Sequence, residues 1–125
     1  MAGTWKPFGT QASAGTYISA VTPTTLYTAT NGSGLKARIE KLLILNIDTS
    51  SNVTCDIYIV ASGGSISSDN YKIVKAFNVR PSNGYYGTWD VREVAGLVLN
   101  ENETIRVLAG TASKLQYHLS GWQES

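Results

Sequence analysis

Length, composition and charge limit the protein to one small domain. The chain has 125 residues, of which only 15% are charged, and it is rich in Ser, Thr and Gly. This mixture is typical of a β-rich domain with many turns, and it argues against helical bundles and coiled coils. Ten basic and nine acidic residues give a net charge of +1 without a charge block. A protein that binds nucleic acid by neutralising phosphates needs a basic patch, so nucleic acid is not an expected partner.

The sequence carries no redox, cofactor or membrane signal. Cys55 is the only cysteine, which excludes an intramolecular disulfide and a cysteine-based zinc site. The first residues lack the basic start and the apolar run of a signal peptide. The longest apolar stretch, residues 42–45, is too short to cross a membrane. We therefore expect a soluble protein that is made in a cytoplasm, needs no cofactor and has no membrane partner.

Residues 1–15 are predicted to form an extended N-terminal arm, followed by a single domain over residues 16–125. The arm consists mostly of small and polar residues, carries the aromatic residues Trp5 and Phe8, and shows no sustained period. Such a segment cannot bury enough apolar area to fold alone. We expect it to lie against its own domain or against a neighbouring subunit.

After the arm, apolar and polar residues alternate with the period of two that indicates β-strands. The predicted strands cover residues 16–21, 25–30, 36–48, 53–60, 71–79, 94–99, 103–109 and 114–122. One helical turn is expected over residues 90–95, with Asp90 as its N-cap. Short strands separated by turn residues predict an all-β fold, an antiparallel β-sandwich or a small barrel. The count of about eight strands favours a jelly-roll sandwich.

No group of residues forms a recognisable catalytic centre. His118, the only histidine, falls on the polar face of the last strand, and Cys55 falls on the apolar face of its strand. A solvent-facing side chain and a buried thiol are the ordinary outcomes at such positions. Asp48 and Asp56 flank a hairpin and could hold a calcium ion with nearby carbonyl groups, but their spacing is not specific. We expect a protein that is not an enzyme and holds no metal ion.

Aromatic residues at the chain ends and in a loop indicate contact surfaces. They lie in the arm, in a Gly-rich loop and near the end of the chain, as Trp5, Phe8, Tyr85, Tyr86, Trp89 and Trp122. Tyr and Trp away from a core are enriched at protein interfaces, although the same residues can also cap the ends of a sandwich. Two kinds of partner compete for these residues: another protein, or a sugar that stacks on the loop aromatics.

Several strand-like segments together carry a similarity to a known family. They cover residues 26–29, 36–46, 53–59, 97–100, 104–107 and 119–124. Over Leu35 to Glu124 the sequence resembles the small all-β virion proteins of tailed bacteriophages, which include jelly-roll decoration (cement) proteins of the capsid. Asn102-Glu103 stands where that family has a Gly-Asp turn. The shared segments are strands, so the resemblance supplies no active-site residues.

The resemblance implies a virion structural protein, assembled in the host cytoplasm, that decorates or cements the head. Its expected partners are the major capsid protein or other virion proteins, and it is expected to form a homo-oligomer, a dimer or a trimer. Trp5 and Phe8 would anchor the arm, while Tyr85, Tyr86 and Trp89 would form a second contact patch. The alternative is a tail, fibre or collar accessory protein that recognises host surface saccharide through that patch.

Overall fold

The computed structural model describes residues 4–30, 32, 34–67, 70–83 and 87–125. Within them the chain forms nine strands and one short 3₁₀ turn at Arg92–Val94. The strands are β1 (Trp5–Ala12), β2 (Thr24–Thr28), β3 (Ala37–Asn46), β4 (Val53–Val60), β5 (Lys72–Val79), β6 (Thr88–Asp90), β7 (Val98–Leu99), β8 (Thr104–Ala109) and β9 (Leu115–Glu124).

The strands form two antiparallel sheets that pack as a sandwich. Sheet A has the order β1-β9-β3-β6, with β7 also paired to β3, and sheet B has the order β2-β8-β4-β5. Thus β1 pairs with β9, β2 with β8, β3 with β6 and β4 with β5. The first half of the chain therefore pairs with the second half in reverse order, as in one long ribbon rolled into two sheets, which is the jelly-roll arrangement. The prediction of an all-β antiparallel sandwich is confirmed.

The core lies between the sheets because the central strands bury every second side chain. The largest fully buried side chains come from both sheets and include Ile39, Leu42, Ile44, Ile57, Ile105, Leu115 and Leu119. Each such side chain contributes roughly 1.5–3 kcal/mol relative to an exposed one. The alternation in the sequence located these central strands, although in β3 the register shift between Ile39 and Lys41 moves burial from the odd to the even positions.

One predicted strand, residues 16–21, is wrong. The backbone turns at Gly15, where φ is 78°, and the Ser13 carbonyl accepts a hydrogen bond from the Thr16 N–H at 2.9 Å. Ile18 is buried and donates its N–H to the Leu115 carbonyl at 2.8 Å. The Ser19 carbonyl accepts the Ala109 N–H at 3.0 Å, so the segment makes isolated backbone contacts with both sheets instead of a continuous ladder.

Other differences lie at the edges of sheet A. β1 forms from the predicted arm and lies against its own domain, and β6 begins at residue 88, where the predicted Gly-rich loop 83–88 ends. Asp90 ends β6, while the 3₁₀ turn follows Val91 and has no side-chain cap, so the predicted cap is wrong. Only Val98–Leu99 of the predicted strand 94–99 forms a strand, and β9 continues beyond the predicted end at Trp122 to Glu124.

Aromatic pairs join the two sheets on both open sides of the sandwich. On one side Phe8 of β1 stacks on Tyr27 of β2, with ring centroids 4.0 Å apart. On the other side Phe77 of β5 stacks on Trp89 of β6, with centroids 3.8 Å apart. Each pair contributes roughly 0.5–1.5 kcal/mol beyond its buried area. The edge strands of one sheet are thereby held to those of the other.

Tyr27 also links the sheets through its hydroxyl group. The hydroxyl donates a hydrogen bond to Gln123 Oε1 at 2.8 Å, and the same oxygen accepts the Thr30 N–H at 3.1 Å. Gln123 Nε2 donates to the Lys36 carbonyl at 3.0 Å. Burial raises the pKa of Tyr27, so the hydroxyl keeps the proton that this hydrogen bond needs.

Gly121 marks a close approach of β9, β3 and the Phe8 ring. A Cβ at residue 121 would collide with the Arg38 carbonyl oxygen and with Phe8. We expect Gly121→Ala to displace Phe8 from its partner and to lower the free energy of unfolding by about 1–3 kcal/mol, measured by urea unfolding. Ser120→Ala, at the adjacent position, is the control and should change it by less than about 0.5 kcal/mol. An unchanged free energy of unfolding in Gly121→Ala would contradict the prediction.

Candidate functional site

An exposed row of mainly apolar side chains crosses the outward face of sheet A. Pro7 of β1 lies opposite Trp122 of β9. Trp122 lies opposite Arg38 of β3, and Arg38 lies opposite Val98 of β7. Trp5 belongs to the same face because side chains two apart along a strand point the same way. We call these five residues the aromatic row.

Alternation along each strand directs the aromatic row away from the core. Arg38 lies between the buried residues Ala37 and Ile39, and Trp122 lies between the buried residues Gly121 and Gln123. In the row itself, only Trp122 is half-buried, while the other four side chains are exposed. The Arg38 guanidinium carbon lies 6.0 Å from the centroid of the Trp5 ring, within the range of a cation–π contact.

The outward face of sheet B differs because its polar groups satisfy one another. Asp56 Oδ2 lies 3.4 Å from Lys72 Nζ, and Asp56 Oδ1 accepts the Ala76 N–H at 2.6 Å. The Lys72 ammonium also lies 5.4 Å from the centroid of the Tyr58 ring. Trp and Arg are the residue types that dominate binding energy at interfaces, and the aromatic row combines them on the outward face of sheet A. Sheet A therefore provides the better candidate contact surface.

The structure separates the aromatic residues singled out in the sequence. Trp5 and Trp122 lie in the aromatic row, whereas Phe8 turns into the gap between β1 and β2. Trp89 is half-buried against Phe77 on the opposite side of the sandwich. Tyr85 and Tyr86 lie outside the described residues.

Three residues of the row, Pro7, Arg38 and Val98, were not recognised in the sequence. Their proximity follows from the register of four strands, β1, β9, β3 and β7. Local alternation assigns Arg38 to an outward face but does not reveal which strands flank it. The missing signal is strand order, which no single segment contains.

A cavity of about 190 Å³ opens beside the Phe77–Trp89 pair. Its lining includes Phe77, Asn78, Arg80, Thr88, Trp89 and Asp90. The lining residues thus include two aromatic, two charged and two uncharged polar residues. Lys41 Nζ lies 3.6 Å from Asp90 Oδ2 at this edge.

The acidic residues considered for calcium are held by other partners. Asp48 Oδ1 accepts the Ser50 and Ser51 N–H groups at 2.8 and 3.1 Å. These hydrogen bonds, with a smaller contribution from Lys114, lower the pKa of Asp48 to about 2. Asp56 contacts Lys72 and the Ala76 N–H on the outward face of sheet B. Among the described residues, no cluster of three or more His, Cys, Asp or Glu side chains is placed to hold a metal ion.

Comparisons with protein-family models, curated proteins and solved structures find no match. The described part of the chain contains no helix that is long and apolar enough to span a membrane. Function is therefore inferred from the residues and their geometry.

Cys55 is placed as a core side chain rather than as a nucleophile. It is fully buried, and burial, together with the charge of Asp56, raises the pKa of the thiol to about 12. We expect the native protein to resist Ellman's reagent at pH 8, because both the thiolate and access to it are lacking. The same protein in guanidinium chloride should release one equivalent of the chromophore. Rapid labelling without denaturant would contradict this prediction.

Proposed function

We propose that the chain is a non-enzymatic structural protein of a tailed-bacteriophage virion, a capsid decoration protein that binds the head shell. The aromatic row is the observation that supports binding to another protein. It places Trp5, Trp122 and Arg38 together on one face, and these residue types are the most frequent hot spots of protein interfaces. The virion role itself comes from the resemblance of the strand segments to such proteins.

The proposed mechanism stabilises the shell by adding interface area between its subunits. A specific interface buries roughly 1,200–2,000 Å². The two indole rings would supply apolar area, and Arg38 would supply donors for carboxylate or carbonyl acceptors of the shell. Many copies on one particle would make a modest affinity effective through multivalency. Packaged DNA presses outward, so each bridge opposes the separation of neighbouring subunits.

Features of the strand edges favour contact through a face rather than through added strands. Pro7 has no N–H to donate, and the register of β1 shifts between Pro7 and Thr10 around Gly9, where φ is 78°. β6 has only three residues, and the register between β4 and β5 shifts around Ala76, where φ is 51°. Prolines, bulges and short edge strands oppose the addition of a further strand. A dimer or trimer of this chain would therefore also assemble through its faces.

The copy number of the chain in purified particles is the first test. Quantitative mass spectrometry against the major shell protein should give hundreds of copies, because a decoration protein follows the repeating lattice of the shell. A few copies per particle would contradict the decoration role and favour the tail, collar or fibre alternative. Complete absence from particles would contradict any virion role.

A second test removes the exposed indole of the row. Trp5→Ala should strongly reduce the number of copies bound to particles, because truncating a hot-spot residue costs about 2 kcal/mol or more. Tyr17→Ala is the matched control, because Tyr17 is 41% exposed and Trp5 43%, but Tyr17 lies outside the row. Both variants should unfold within a few degrees of the wild type. Normal attachment of Trp5→Ala would exclude the aromatic row as the contact surface.

The alternative function is a tail, fibre or collar accessory protein that recognises host surface saccharide. The cavity beside Trp89 favours it, because its lining includes both aromatic and polar residues, as the lining of ligand sites commonly does. A tail, fibre or collar protein would be present in only a few copies per particle, whereas a decoration protein would be present in hundreds. The copy number therefore separates the two functions.

A further inference from the structure

We propose that β1 exchanges between two copies of this chain, so that the β1 of each copy pairs with the β9 of the other. Within β1 only Phe8 and Gln11 are even partly buried. The buried apolar residues of the described core all lie at Ile18 or beyond. β1 therefore docks on a core that the rest of the chain supplies, whichever copy the strand comes from. The inference rests on β1 and its connection to β2, and it does not depend on the virion role.

The site that β1 occupies is as complete for the strand of a second copy as for its own. The ladder with β9 runs from Trp5 to Ala12, with one register shift. The Phe8 ring stacks on Tyr27, and Gly121 leaves room for the ring on β9. A second copy carries the same segment, so each of these contacts can also form between copies. Because the contacts are equal in both forms, the balance depends on protein concentration and on the connection that follows β1.

The connection after β1 contains a turn of four exposed residues that can act as the hinge. Ser13 is held on β9, because its N–H donates to the Tyr117 carbonyl at 3.2 Å. Ile18 is buried and fixes the chain on the far side of the turn. Between these two residues, residues 14–17 are all exposed, and Gly15 has a φ of 78°. Straightening this turn would direct β1 away from its own β9 and would leave Ile18 in the core.

Exchange replaces a strand and adds none to either sheet. Pro7 and the register shift around Gly9 oppose the addition of a strand, but they keep their positions here and do not oppose exchange. Each domain of an exchanged dimer also keeps an aromatic row on sheet A. The β1 part of that row, Trp5 and Pro7, comes from one copy and the remainder from the other. The cation–π contact between Trp5 and Arg38 then joins the two copies.

The first test strains the hinge in its turned conformation. Gly15 and Gly63 are both exposed, have φ values of 78° and 73°, and offer open space to an added Cβ. Valine is disfavoured at such φ values, so Gly15→Val is relieved of strain when the hinge straightens. The dimer association constant should rise at least about tenfold, because each dimer relieves two turns. It is measured by size-exclusion chromatography with light scattering over a range of concentrations.

The control places the same strain outside the hinge. Gly63→Val lies in the loop between β4 and β5, so it should dimerise no more than the wild type. If Gly15→Val forms no more dimer than Gly63→Val, the inference is wrong.

The second test distinguishes strand exchange from a dimer formed through the faces. Thr10 of β1 lies opposite Ser120 of β9, and Cβ atoms so placed are about 4.5–5.5 Å apart, close to the range of a disulfide. Thr10→Cys and Ser120→Cys are combined in the Gly15→Val chain and oxidised at low concentration, where the bond forms within one copy. Oxidised and reduced protein are then incubated at the same high concentration. The oxidised form should stay monomeric, because its β1 is tied to its own β9, and the reduced form should dimerise. Equal dimerisation of both forms would show assembly through the faces and would overturn the inference.

Discussion

The two open sides of the sandwich are the constraint on which the rest of the structure depends. Two flat sheets bury their inner faces, but the edge strands β1 and β2, and likewise β5 and β6, remain separate unless side chains connect them. Phe8 on Tyr27 and Phe77 on Trp89 make these connections. The buried Gln123 adds a polar link between Tyr27 and the backbone of Lys36. Among the described aromatic residues, Phe8 and Trp89 thus close the sandwich, whereas Trp5 and Trp122 face outward.

The pairing of the first strand with the last creates the candidate contact surface. Trp5 and Trp122 come from opposite ends of the sequence, and only the β1–β9 ladder places them on one face. Arg38 joins them from β3, the strand on the other side of β9. On the outward face of sheet B, Asp56 and Lys72 instead form an ion pair. The two faces of one fold therefore suit different roles, contact on sheet A and solvation on sheet B.

Alternation predicts those parts of this chain where one face of a strand meets a core. It predicted β3, β4, β8 and β9 and the burial of Cys55, since each of these strands alternates buried with more exposed residues over most of its length. It did not reveal β1, because only Phe8 and Gln11 are even partly buried there, nor β6, which is too short to show a period. The aromatic row and the cavity combine residues from several strands. Strand order and register decide these combinations, and neither can be read from local pattern.

The ladder between β1 and β9 continues beyond the strands and holds Thr4 against Ser125. The Thr4 N–H donates to the Ser125 carbonyl at 3.2 Å, and the Ser125 N–H donates to the Thr4 carbonyl at 3.0 Å. A linker of a few residues would therefore suffice to connect Thr4 with Ser125 in a circular permutant. New ends placed in the exposed segment 61–63, between β4 and β5, would interrupt no strand. In such a permutant the strands that carry Trp5 and Trp122 would be joined covalently. A protein fused to either new end would be attached at the loop between β4 and β5, away from the aromatic row.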